Sequence, residues 1–139
     1  MKLVNKYKSW WIVIFFGICY AVVGIAFPNP SSPREAQLMW RLAAWITSII
    51  LFGVQLLYEH FRFHNPSRKT ALHVAIATVI GAFALAVAAN IHALNTGGDN
   101  SNLLIASLIF WPIIIGVPAF VVAIIIATVL AKIKPKNKQ

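Results

Sequence analysis

The chain contains few acidic residues. Aspartate and glutamate account for 3 of its 139 residues, against 12 lysines and arginines, and the formal net charge is +9. Paired carboxylates for acid–base catalysis, a glycine loop that binds phosphate, the serine turn of hydrolases and a metalloprotease motif are all missing from the sequence. The composition therefore favours a non-enzymatic function over an enzymatic one and leaves the second open.

Cysteine is almost absent as well, because Cys19 is the only one. A single cysteine excludes a disulfide within the chain and the paired-cysteine chemistry of quinone-linked disulfide-forming enzymes, and it disfavours a cysteine-based metal site. Charged residues make up 11% of the sequence and hydrophobic residues 60%. A water-soluble domain of this length could not bury so much apolar surface, whereas lipid would solvate it.

The chain contains four long apolar runs. They cover residues 10–27, 36–58, 71–94 and 103–131, and each approaches or exceeds the ~20 helical residues that cross ~30 Å of hydrocarbon. The pattern predicts an all-α integral membrane four-helix bundle with four transmembrane helices, forming one transmembrane domain over residues 1–139. The first run resembles a secretory signal, but its 18 residues exceed the usual ~7–15, so we interpret it as a retained helix.

Positive charge lies mostly on one side of these runs. Ten of the twelve basic residues precede run one, separate runs two and three, or follow run four, and only Arg34 and Arg41 belong to the other side. The positive-inside rule then predicts that both termini are cytoplasmic. We expect the lysines to meet the lipid bilayer at anionic headgroups of the cytoplasmic face rather than nucleic acid. Short loops with this topology indicate the bacterial inner membrane.

A polar stripe follows the second run at three- and four-residue steps, which is the spacing of one helix face. Its members are Arg41, Trp45, Ser48, Phe52, Gln55 and Glu59. Because polar groups inside hydrocarbon are costly unless they are satisfied, we expect this face to point toward the other helices.

Matching polar residues by depth groups them into two layers. The outer polar layer comprises Tyr20, Arg41, Asn90, His92 and Ser107, and the inner polar layer comprises Gln55, Glu59, His60, His73 and Thr128. No carboxylate lies within an apolar run at the depth of Arg41. We therefore expect Arg41 to bond Asn90, a helix-end carbonyl or a bound anionic group. The alternative is that Arg41 extends to the outer headgroups.

Glu59, with His60 and His73, forms the second candidate site. A carboxylate beside an imidazole at a membrane edge can relay protons, and the alternative is a solvated cluster where helix two ends. Haem held by two inner histidines is disfavoured, because two of these histidines, His60 and His64, lie at or beyond the apolar edge, where water would reach the ring. The sequence therefore predicts neither a metal site nor a bound cofactor.

Small residues and prolines mark helix contacts and a bend. Gly17 and Gly24 in run one and the stripe of run three allow close helix approach, either within one chain or between subunits. The stripe of run three contains Ala77, Gly81, Ala84 and Ala88. Pro112, Gly116 and Pro118 predict a kink in helix four between Phe110 and Ala119, because each proline removes a backbone hydrogen bond.

Three functions fit these features. The first is a small membrane protein that acts by association, as a homo-oligomer or as an accessory subunit of a membrane complex. The second is a small channel or transporter with a polar path along Arg41, Ser48, Gln55 and Glu59. The third is a membrane enzyme or electron carrier that binds haem, quinone or lipid.

Overall fold

The chain is all-helical in the parts that the structure describes. The structure is a computed structural model that describes residues 2–26, 33–63, 65–95 and 101–133, with side chains from Trp10 in the first range and from Leu103 in the last. Four helices follow one another: α1 (Lys2–Ala26), α2 (Arg34–Phe63), α3 (Ser67–Asn95) and α4 (Ser101–Ile133). Phe27, the predicted end of the first run, lies outside the described residues.

Three of these helices, α2, α3 and α4, are long and apolar enough to cross a membrane, and the apolar part of α1, Trp10–Ala26, is shorter. Prolines precede two helix starts. The backbone N–H of Gln37 donates to the carbonyl of Pro33 at 3.0 Å, and that of Thr70 donates to the carbonyl of Pro66 at 3.1 Å. A proline with its fixed φ suits these positions, where its missing N–H is not needed.

Helix α3 lies at the centre of the bundle. It packs most extensively against α4 and then against α1, whereas α2 contacts the other helices less. One apolar cluster joins α1 to α3 through Val13, Phe16, Tyr20 and Ala77. A second cluster joins α2, α3 and α4 through Leu56, Ala71, Val74 and Ala123.

Small residues bring α3 close to both neighbours. A Cβ at Gly81 would meet Cβ of Tyr20, a Cβ at Gly17 would lie 2.8 Å from Cγ2 of Ile80, and a Cβ at Gly116 would meet Cγ2 of Val79. A Cβ at Gly24 would make an ordinary contact, 3.4 Å from Cδ1 of Leu85. Gly17, Gly81 and Gly116 therefore allow close approach between helices of this one chain.

The alanines of the α3 stripe are covered to different extents. Ala77 is fully buried, and Ala84 and Ala88 are half-buried. Helix α4 runs as one helix through Pro112 and Pro118. Pro112 and Gly116 are buried on the side toward the bundle, and Pro118 is exposed.

Candidate functional site

The inner polar layer contains a buried hydrogen-bonded cluster between α2 and α3. Nδ1 of His73 lies 3.1 Å from Oε1 of Glu59, and both side chains are shielded by protein, with 2% and 0% exposure. Nδ2 of Asn65 donates to the other carboxylate oxygen, Oε2, at 2.7 Å. Both oxygens of the only carboxylate buried among the described residues therefore have a partner.

Gln55 and Trp10 complete this cluster from two sides. Gln55 is fully buried one turn before Glu59, and its Nε2 donates to the backbone carbonyl of His73 across a long 3.4 Å. The indole of Trp10 lies against the imidazole, with ring centroids 5.6 Å apart and planes tilted by 50°. We call the set Gln55, Glu59, Asn65 and His73 the carboxylate cluster.

Three buried polar atoms around this end of the bundle lack a hydrogen-bond partner among the described residues. They are Oε1 of Gln55, Nδ1 of His60 and Oγ1 of Thr70. A buried polar group without a partner costs about 1–3 kcal/mol. Native structures leave few such groups, so several at one end of a small bundle mark a place where a further donor or a water molecule belongs.

The carboxylate cluster differs from a solvated interfacial group in one respect, which is burial. Glu59 has no exposed surface, although Tyr58 and Phe61 beside it on α2 are exposed. If the end of α2 were merely solvated by water and lipid headgroups, its carboxylate would lie at the surface. The sequence-predicted polar layers do not include Asn65 and Thr70. Their position at the α2–α3 turn, directly after the helix that carries Glu59, is the feature that could have indicated them.

The rest of the inner polar layer does not join the cluster. Thr128 is exposed, and its hydroxyl donates to the carbonyl of Ile124 on its own helix at 2.6 Å. His60 is buried, and its ring lies edge-on to Phe61 with centroids 5.3 Å apart. Within the described part of the chain, no group of three or more His, Cys, Asp or Glu side chains could hold a metal ion.

In the outer polar layer, Asn90 and Ser107 are in direct contact. Nδ2 of Asn90 donates to Oγ of Ser107 at 3.1 Å and to the carbonyl of Ala86 at 2.8 Å, which joins α3 to α4. Tyr20 is buried between α1 and α3, and its hydroxyl has no hydrogen-bond partner among the described residues. His92 is exposed on α3.

Arg41 stands apart from these residues. It is exposed on α2 and has no hydrogen bond or ion pair with any residue that the structure describes. It lines an open groove of about 470 Å³ together with Arg34, Glu35, Gln37 and Leu38. The polar stripe of α2 thus points inward at Gln55 and Glu59, as expected, and does not do so at Arg41 and Trp45.

The reason is how α2 meets the bundle. No residue between positions 34 and 50 is buried, whereas Gln55, Leu56, Glu59 and His60 are. Helix α2 is therefore attached mainly through its C-terminal half, and the residues of its N-terminal half are exposed or half-buried in the described chain. Comparison of the sequence with models of protein families and with curated proteins, and comparison of the fold with solved structures, finds no match.

Proposed function

We propose that the chain is a membrane subunit that works by association, and that the N-terminal half of α2 is the surface on which a second membrane protein docks. The observation that carries the proposal is the stretch from position 34 to 50, in which no residue is buried and Arg41 is exposed. In this proposal all four helices cross the membrane, α1 included, with both termini cytoplasmic. The bacterial inner membrane is the membrane that the short loops and lysine-rich ends favour.

Arg41 supplies the argument for a partner. An arginine at the centre of a spanning helix costs about 2.5–3.5 kcal/mol, and the cost falls toward the helix ends. Glu35, the nearest carboxylate on α2, lies six residues away, or about 9 Å along the axis at 1.5 Å per residue. The other carboxylate of the described residues, Glu59, is bonded within the carboxylate cluster.

The same charges favour a different protein over a second copy. Copies of one membrane protein related by a two-fold axis along the membrane normal place equal depths of α2 side by side, so Arg41 would face Arg41. Like charges at such an interface are unfavourable, and no described helix offers a carboxylate at that depth. We therefore commit to a partner helix that carries an aspartate or glutamate within its membrane span.

Photo-cross-linking in native membranes tests this surface. A photoreactive residue replaces Ile46, exposed on α2, and in the matched control it replaces Ile125, equally exposed on α4. We expect one discrete adduct from position 46 that position 125 does not give, and we expect Arg41→Gln to reduce it at least tenfold. An adduct of twice the chain's mass would replace the proposal by a homo-oligomer, and lipid adducts alone would contradict it.

Exchanging the two charges then tests whether Arg41 recognises a carboxylate of the cross-linked protein. If the cross-linked protein carries the predicted carboxylate, Arg41→Glu abolishes the adduct, and changing that carboxylate to lysine in the partner restores it. Removing one member of a buried interfacial charge pair costs about 2–5 kcal/mol. A cost of this size lowers the affinity by more than about tenfold, which a cross-linking yield detects. Failure of the exchange to restore the adduct would show that Arg41 does not recognise a carboxylate.

Topology has an independent test because Cys19 is the only cysteine. A Cys19→Ala background accepts single cysteines at Lys138 and at Asn100, for which the proposal expects cytoplasmic and outer locations. An impermeant thiol reagent added to intact cells should label only position 100. Labelling of position 138 in intact cells would contradict the orientation.

A kink in α4 between Phe110 and Ala119 belongs to the same proposal. The two prolines support it, because each removes a backbone hydrogen bond within one helix. Spin-label distances between the ends of α4 should lengthen in a Pro112→Ala/Pro118→Ala variant. Equal distances in the two proteins would show that α4 is straight.

Transport is the second candidate, and the observation that favours it is the polar stripe of α2, buried at Gln55 and Glu59 and open at Arg41. A partner that covers the N-terminal half of α2 would enclose the remaining part, including Ser48. Proteoliposomes containing the chain, or the chain with its partner, should then lose flux of anions in Arg41→Ala and Gln55→Leu variants. Equal flux in wild type and both variants removes this candidate. The third function, a haem-, quinone- or lipid-binding enzyme or carrier, predicts a co-purifying ligand, and haem would colour the pure protein.

A further inference from the structure

We infer that the carboxylate cluster is a proton-binding site, in which Glu59 and His73 hold one exchangeable proton between them. The inference goes beyond association and does not rest on it. It starts from the 3.1 Å separation of Nδ1 and Oε1 in a place that protein closes on all sides, where Glu59 and His73 have 0% and 2% exposure.

Burial selects the ligand. A metal ion or an organic molecule needs an entry path and free coordinating atoms, whereas both oxygens of Glu59 already accept hydrogen bonds. A proton needs neither, because it enters along hydrogen bonds that the cluster already has. Oε1 of Gln55, Oγ1 of Thr70 and Nδ1 of His60 are further buried polar atoms at this end of the bundle, and they have no hydrogen-bond partner among the described residues.

Neutralising the charge of the Glu59–His73 pair favours proton binding. With Nδ1–H donating to an ionised carboxylate, the pair has a net charge of −1, which is costly in a buried place. A proton added at Nε2 makes the imidazolium and brings the net charge to zero. Transfer of the Nδ1 proton to Oε1 gives the carboxylic acid and neutral imidazole at the same net charge, so both forms hold one added proton.

Other charged and titratable groups at this end of the bundle are mostly at the surface. On α2 the neighbours are Tyr58 and Arg62, which are exposed, and His60, which is buried. On α3 they are Arg68 and Lys69, and Lys132 lies in the last turn of α4. All four cations are exposed. The described side chains of α1 begin here with Trp10, which is uncharged and covers the imidazole. Solvent screens the exposed cations, so each of them compensates the charge of the pair only weakly.

The site is for binding rather than for conduction across the membrane. On α3 the next buried or half-buried polar side chains beyond His73 are Thr78 and Asn90, five and seventeen residues further on. At 1.5 Å per residue, about 18 Å separates Thr78 from Asn90 along the axis, and Gly81, Ala82 and Ala86 fill that interval. A proton therefore reaches the cluster from the end of the bundle that carries the α2–α3 turn.

The composition of the chain makes the test unusually direct, because it contains only two glutamates and four histidines. The protein is labelled with ¹³C-glutamate and ¹⁵N-histidine, and Glu35, which is exposed, is replaced in a Glu35→Gln variant so that Glu59 gives the only glutamate signal. NMR spectra are recorded across the pH range in which the protein stays folded in detergent or lipid. No substitution inside the cluster is needed for this measurement.

We expect the Glu59 carboxyl and one imidazole to change together in a single transition of one proton per chain, since interacting groups titrate as a unit. His73→Gln should move the carboxyl transition to another pH, and His92→Gln, at an exposed position, should leave it in place. Two outcomes overturn the inference: both signals stay constant at every pH where the fold persists, or the carboxyl and each imidazole change at unrelated pH values. Either result would mean that the cluster only fastens α2 to α3.

Discussion

Replacing Gly81 by alanine places a methyl group against the backbone of α1 at the tightest contact between α1 and α3. The new Cβ would meet Cβ of Tyr20, with the carbonyl carbon of Tyr20 at 3.3 Å and the backbone nitrogen of Ala21 at 3.4 Å. None of these atoms is the far end of a flexible side chain, so α1 itself has to shift. Inserting a methylene-sized group into a packed site typically costs about 1–3 kcal/mol.

Helix propensity acts in the opposite direction and needs a matched control. Alanine is favoured over glycine inside a helix by about 1 kcal/mol, which hides part of the packing cost. Gly53 on α2 provides the control, because a Cβ there would meet nothing within 4 Å. The propensity gain cancels between the two variants, so Gly81→Ala should be about 1–3 kcal/mol less stable than Gly53→Ala.

Unfolding by sodium dodecyl sulfate in mixed micelles, followed by tryptophan fluorescence, gives the two free energies of unfolding. A Gly24→Ala variant should behave nearly like the Gly53 control, since its Cβ would make only ordinary contacts with the side chain of Leu85, at 3.4–3.7 Å. If Gly81→Ala is as stable as Gly53→Ala, α1 and α3 do not cross at Gly81. The packing of the whole bundle described above would then be wrong.

Three further predictions concern polar contacts and use the same measurement of unfolding free energy. A double-mutant cycle with Asn90→Ala and Ser107→Ala should give a coupling of about 0.6 kcal/mol, the average for hydrogen bonds between membrane helices, and additive effects would refute the contact. Asn65→Ala should cost about 1.5–3 kcal/mol because its amide donates to a buried carboxylate, whereas Asn95→Ala, at an exposed position, should cost little; equal losses would refute the assignment. Ser67→Ala should cost about 0.5–1.5 kcal/mol, since its hydroxyl donates to a carbonyl of α4 at 3.1 Å, and an unchanged stability would argue against that tether.

Much of the fold follows from the sequence because hydrophobic length and helix breakers are local properties. Helix α2 ends at Phe63, shortly before Pro66, and Ala77 and Gly81 of the α3 stripe are buried. Periodicity also identified the face that contains Gln55 and Glu59. Each of these inferences needs only the period of a helix and the identity of the residues on one face.

What the sequence could not supply is how far along its length a helix is covered. The stripe from Arg41 to Glu59 has one period throughout, yet only its C-terminal half is buried, because coverage depends on the crossing of α2 with helices distant in sequence. The role of Asn65 was equally hidden. Its partner is six residues earlier, and the two meet only because the chain turns back between α2 and α3.

The two ends of α2 therefore have different physical roles. Apolar surface gives helices no reason to associate in lipid, so small residues and hydrogen bonds must hold them together. Helices α1, α3 and α4 have the first kind of contact, at Gly17, Gly81 and Gly116. Gly53 of α2 has no such close neighbour, and the hydrogen bonds of the carboxylate cluster, including the long one from Gln55, fasten that helix at one end.

If the cluster exchanges a proton, its charge changes at the place where α2 is attached to the bundle. Such a change could alter how the N-terminal half of α2 is presented to a partner. Measuring the position-46 cross-link with and without Glu59→Gln would then show whether the two sites are linked, and equal yields in the two proteins would show that they are independent.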